Sequence, residues 1–107
     1  MRLRFLPVAL EELEEAVEHL AAARQGFGEL LFEEISMRVA QAARWPMSGA
    51  SVAGFAPSRD VRQFVTRRFR YVVVTAIVGG ERLVVAVAHM SRRPQYWAER
   101  VDATKAT

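Results

Sequence analysis

The chain has 107 residues, 51% hydrophobic and 25% charged, with no cysteine. That balance describes one globular domain with a modest core, and it excludes disulfides and thiolate metal sites. The net charge of +3 conceals a division: residues 1–45 carry a net of −3 and residues 46–107 a net of +6, nearly all of the base being arginine.

Guanidinium groups suit phosphate and carboxylate, so the second half reads as built to meet an anionic partner, the alternative being a solvated basic face. Two separated histidines without a carboxylate cluster give no metal-ligand pattern, and no residue set calls for a cofactor. The N-terminal apolar stretch is too short for a signal peptide, and no run reaches the ~20 apolar residues of a membrane span. A cytoplasmic protein without membrane contact is expected.

In chain order, "RLRFL" alternates and stops at Pro7, which predicts a short first strand with Leu3 and Phe5 on one face. Leu10, Leu13, Val17 and Leu20 then recur at helical spacing, with Glu11, Glu14, Glu15 and Glu18 around the other side. Gly26 is the expected helix stop. A second helix is predicted from about Phe27 to Trp45, ended by Pro46. Its core stripe is Leu31, Ile35, Val39 and Ala42, and Phe27, Leu30, Phe32 and Met37 give it more apolar surface than one face can hide. "PMSGASVAGFAPS" is loop.

After the loop the period changes. "VRQFV", "FRYVVVTAIV" and "RLVVAVAHM" are rich in β-branched and aromatic residues and predict three strands. Gly79-Gly80 marks a two-residue hairpin. The middle run is apolar on both faces and belongs inside the sheet. "RPQYWAERV" predicts a short terminal helix with Pro94 in its first turn. The order is β-α-α-β-β-β-(α), an α+β fold in which an antiparallel sheet packs against an N-terminal helical hairpin. One domain spans 1–107, with 101–107 expected to be a frayed tail.

Register turns this pattern into chemistry. With Gly79 and Gly80 as the loop, Val78 pairs with Glu81, and an unbroken count sets Arg70 opposite His89 and Tyr71 opposite Ala88. Opposed side chains share a face at about 5 Å between Cβ atoms. Arg67 and Arg68 lie in the turn at that end, and Arg92 and Arg93 begin just past it, so basic residues scattered in sequence converge in space. A neutral imidazole there can act as a general base, guanidinium groups can stabilise a phosphorane-like transition state, and Tyr96 can stack on a base or donate a proton. The competing reading is a hydrogen-bonded strand-end histidine, with Tyr96 and Trp97 closing a core edge. His19, on the glutamate-rich helix, reads as a surface residue. Arg62, between the valines of a short strand, needs a partner that the sequence does not name.

The element order, "VRQFVTRRFRYVVVTAIVGGERLVVAVAH" and the "HMSRRPQYW" ending together resemble the RelE/ParE superfamily of toxins from bacterial type II toxin–antitoxin modules, over roughly residues 2–100. The resemblance implies a cognate antitoxin whose acidic, partly disordered segment wraps the toxin; Leu30, Leu31 and Met37 are the apolar residues expected beneath it. It also implies one of two targets. The RelE branch cleaves messenger RNA on the ribosome, for which Arg62, Arg70, His89 and Tyr96 are the candidates carried over by position. The ParE branch inhibits DNA gyrase without that set, and would use Arg67, Arg68, Arg92 and Arg93 as anion- or target-binding groups. The lysine pair of several nuclease members is missing, and the ending is closer to ParE-type sequences. The ParE side is favoured.

Overall fold

The computed structural model describes residues 3–102. Its elements are β1 (Arg4–Phe5), α1 (Pro7–Ala23), α2 (Phe27–Arg44), β2 (Ala50–Ser51), β3 (Arg62–Val65), β4 (Tyr71–Val78), β5 (Glu81–His89) and α3 (Ala98–Asp102), with short 3₁₀ turns at Pro46–Ser48 and Pro57–Arg59. Pro7 starts α1 where its missing N–H costs nothing, and the Leu6 carbonyl accepts from Ala9 and Leu10. Gly26 does not cap α1; it is the left-handed residue at the start of α2, with φ 87°. Within the hairpin the helices approach closely at Gly28, where a Cβ would stand 2.8 Å from the Val17 carbonyl.

The strand order is β1-β5-β4-β3-β2, so β4 lies inside the sheet, at its centre, as its two-sided hydrophobicity required. Gly79 and Gly80, at φ 61° and 80°, make the tight turn that two left-handed residues allow. The sheet is not wholly antiparallel as expected: β1 runs parallel to β5, with Arg4 beside Leu83 and Phe5 beside Val84. Alternation reports which side chains share a face but is blind to strand direction, so the sequence carried no sign of this. The loop also holds one strand it was not assigned, β2, which pairs with Arg62 and Gln63.

Each face of the sheet has its own core. On one, Tyr71, Val73, Val84 and Val87 pack under Leu13, Ala16, Leu31 and Ile35 of the hairpin. On the other, Val74, Ala76, Val85 and Ala88 meet Trp97 and Val101, with Phe55 stacked on Trp97 at 5.7 Å. Val101 is fully buried in α3, so the expected fraying does not begin at 101; residues 103–107 lie outside the described part of the chain.

The predicted register holds for half the hairpin and then breaks. Val78 faces Glu81 and Thr75 faces Val84, but Val74 faces Ala86, leaving Val85 as an extra residue. Beyond this bulge Tyr71, not Arg70, stands opposite His89. Side chains alternate with a period of two, so one inserted residue turns everything after it to the other face. His89 therefore lies on the helical side with Tyr71, their rings edge to face at 4.9 Å.

Candidate functional site

The end of the β4–β5 hairpin distant from Gly79-Gly80 collects the chemistry. The turn before β4 is pinned by α2: the Glu34 carboxylate accepts the backbone N–H groups of Arg67 (2.9 Å) and Arg68 (3.1 Å). Thr66 Oγ1 donates to the Arg68 carbonyl at 2.6 Å and accepts from the Tyr71 N–H at 3.1 Å. Phe69 and Arg70 both take left-handed conformations, φ 68° and 56°, and the Phe69 ring packs edge-on against Phe27. Held in this way, the turn directs the Arg67 and Arg68 side chains outward. Arg70 is also exposed, and its carbonyl accepts from the Met90 N–H at 2.8 Å, which ties the turn to the end of β5.

His89 closes β5. The Ser91 N–H donates to His89 Nδ1 at 3.1 Å, and the Ser91 hydroxyl lies 2.7 Å from the same atom. Nδ1 is thereby an acceptor, so the neutral ring carries its proton on Nε2. A general base needs a free lone pair, and this one is covered by Ser91.

Tyr96 is equally committed. Its hydroxyl donates to Glu12 Oε2 at 2.6 Å, and Arg100 binds the same carboxylate through both Nη atoms at 2.9 and 3.0 Å. Burial first, then the hydrogen bond and charge of Glu12, push the Tyr96 phenol up to about 12, against the opposing charges of Arg92 and Arg100. The Arg92 guanidinium lies over the Tyr96 ring at 4.0 Å.

Arg62 has the partner it required. Its Nε donates to Asp60 Oδ1 at 2.9 Å and its Nη1 to the Gly49 carbonyl at 3.1 Å, while Arg82 binds the other oxygen of Asp60. Burial raises the Asp60 carboxyl, but the hydrogen bonds and charges of Arg82 and Arg62 outweigh it and hold the group below its ordinary range.

Two hollows flank His89, one on each side of the sheet. The first, about 560 Å³, lies against α1 and is bordered by Glu15, His19, Phe69, Tyr71, His89 and Arg92. The second, about 410 Å³, lies between β2 and the C-terminal segment and is bordered by Gln63, His89, Arg92, Arg93, Tyr96 and Trp97. His89 and Tyr96 share the second hollow; Arg62 and Arg70 border neither. His19, read as plain surface, faces the same hollow as His89.

The four anion-binding candidates Arg67, Arg68, Arg92 and Arg93 are all exposed. Of these, only Arg68 has a carboxylate in reach among the described residues, Glu34 at 3.8 Å. Of the apolar residues assigned to the antitoxin, Met37 is 59% exposed and Leu30 half-buried, whereas Leu31 is fully buried in the protein's own core and has no surface to offer. Exposed Leu10 and Phe32 instead flank a hollow between α1 and α2. Sequence reasoning passed over Glu12, Glu34, Asp60 and Arg100. The signal for Glu12 was available: it stands one residue before Leu13 and four before Ala16, at the margin of the buried stripe.

Among the described residues, no three His, Asp or Glu side chains gather as a metal ion would require, and no helix is long and apolar enough to cross a membrane. No protein-family model matches the chain, and no curated protein matches it significantly. A solved structure does: a chain from the chromosomal ParDE TA system of P. aeruginosa, 17% identical, superposes with a TM-score of 0.61 over 83% of this chain and 95% of that one.

The fold is ParE-like.

In this chain Arg67, Arg68, Arg70, Arg92 and Arg93 are all exposed about the far end of the central hairpin and the segment after it, and a hollow lies on each side of the sheet at His89.

Proposed function

We propose that the protein is the toxin of a type II toxin–antitoxin module, neutralised by an acidic antitoxin, and that it acts as a ParE-like inhibitor of DNA gyrase. The ParE-like fold supports the module, since the matching structure is itself a ParDE TA system. The basic surface at the end of the hairpin supports an anionic ligand. The observation that carries the choice of target is the Tyr96 hydroxyl held by Glu12, together with His89 Nδ1 covered by Ser91 and Arg62 bound to Asp60. A metal-independent nuclease needs a free base, a free acid and guanidinium groups around one phosphate, and three of the four candidates are engaged elsewhere.

The decisive comparison sets purified gyrase with supercoiled DNA against purified ribosomes with messenger RNA, each with wild type and His89→Ala. Inhibition of gyrase that persists in the variant is the expected result. Ribosome-dependent cleavage that vanishes in the variant would overturn the proposal in favour of RelE-like endoribonuclease action. At the level of the module, expression alone should arrest growth and co-expression of the adjacent acidic protein should restore it. Harmless expression at confirmed levels of folded protein would remove the toxin reading altogether.

A further inference from the structure

One carboxylate joins three parts of the chain. Glu12 Oε1 accepts from the Val87 N–H at 3.0 Å and from Arg100 Nη1, and Oε2 accepts from Tyr96 and Arg100 Nη2. Arg100 Nη1 also donates to the Val85 carbonyl at 3.0 Å. These two side chains occupy backbone groups on the outer edge of β5 beyond the point where the two-residue β1 ends, and they do so at the bulge. Glu12 and Arg100 are largely buried, with 14% and 20% of their side chains exposed. The bound carboxylate fixes the Tyr96 ring, and the ring is the platform for Arg92 at 4.0 Å. Arg92 is otherwise an exposed side chain with no carboxylate partner among the described residues.

We infer that Glu12 is the positioning residue of Arg92: through Tyr96 and Arg100 it sets the place from which the Arg92 guanidinium meets an anionic target. The inference rests on the reading of Arg92 as a target contact. It has a sign that simple electrostatics opposes. Removing a carboxylate near Arg92 should strengthen binding to any anion if only charge matters, and should weaken it if position matters.

The double variant Glu12→Leu with Arg100→Leu separates the two, because it removes one charge of each sign and leaves the net charge unchanged. Replacing a buried pair by apolar residues of similar volume is often tolerated, although here it also leaves the Val87 N–H and the Val85 carbonyl without these partners. Two measurements are made: the Arg92 Nε–Hε resonance, which the Tyr96 ring current displaces, and inhibition of gyrase supercoiling. The variant should lose the displaced resonance, and inhibition should weaken about fivefold, the equivalent of one lost cation–π platform. A resonance that stays in place overturns the inference, whatever gyrase does; so does a resonance that moves while inhibition holds. If the wild-type protein leaves gyrase untouched, the proposed target is wrong, and the resonance alone decides the positioning. Should the double variant fail to fold, Tyr96→Phe, which keeps the ring and removes its tether, should shift the resonance in the same direction by a smaller amount. An unshifted resonance in that variant overturns the inference as well.

Discussion

Two sets of arginines divide this molecule. Arg62, Arg82 and Arg100 have between 16% and 20% of their side chains exposed, and each is bound to a carboxylate, Asp60 or Glu12. Arg67, Arg70, Arg92 and Arg93 are exposed and have no carboxylate partner among the described residues. The first set acts as internal struts that satisfy backbone carbonyls and hold loops to strands; the second faces solvent. A count of basic residues merges the two. Burial separates them, since a guanidinium out of water must be paired while one in water need not be.

The strongest way to break the comparison is to remove a strut's partner. Asp60→Ala leaves two largely buried guanidinium groups facing each other and should cost about 3 kcal/mol, read as a fall in denaturant midpoint without change in slope. The same carboxylate gives a pH signature. Its folded-state pKa is depressed, so its contribution to stability is complete above its ordinary pKa near 3.8 and is lost as pH falls below that value through the lower folded one. A stability profile flat from neutrality to about pH 4 and steep below it is expected, and Asp60→Ala should flatten the steep part.

The exposed set should behave in the opposite sense. Arg92→Ala and Arg93→Ala are each expected to leave stability within about 0.5 kcal/mol of wild type while weakening inhibition of gyrase about tenfold together. A melting temperature that falls with activity would mean these arginines are struts too. His89→Ala should cost about 1 kcal/mol through the lost edge-to-face contact with Tyr71 and leave gyrase inhibition unchanged. The smallest effect tests the core beneath the hairpin. Thr75 is fully buried and its hydroxyl has no partner among the described residues, so Thr75→Val should stabilise by up to about 1 kcal/mol in chemical denaturation.

The sequence was readable wherever a local pattern settled the outcome. Pro7 and Pro46 bounded the helices, Gly79-Gly80 placed the turn, and the run Tyr71–Val78, apolar on both faces, identified the interior strand. It failed where a feature depends on contacts distant in the chain. The Val85 bulge is one valine in a row of apolar residues, and nothing in "RLVVAVAH" marks which of them is extra. In the fold the bulge coincides with the pairing of Val87 N–H with Glu12 and of the Val85 carbonyl with Arg100, residues far away in sequence. The expected meeting of Arg70 and His89 was lost with that one residue. The surface role assigned to Leu31 failed for a related reason: Leu30 and Leu31 are chemically alike, and only the angle of α2 against the sheet decides which of them turns inward. The direction of β1 and the partner of Arg62 likewise lie outside any local window.

The parallel pairing of β1 with β5 has a consequence for how the protein is made. Its neighbour on the sheet is the last strand in chain order among the described residues, and Glu12 closes on Arg100 across a separation of 88 residues. Chains emerge N-terminus first, and contacts between distant segments are slow to form. A growing chain can therefore pair α1 with α2 early, but it cannot seal the edge of β5 or seat Val101 until the segment through Val101 has left the ribosome. The platform that holds Arg92 needs Arg100 in place, so a chain terminated between Arg93 and Arg100 should carry the arginines without it.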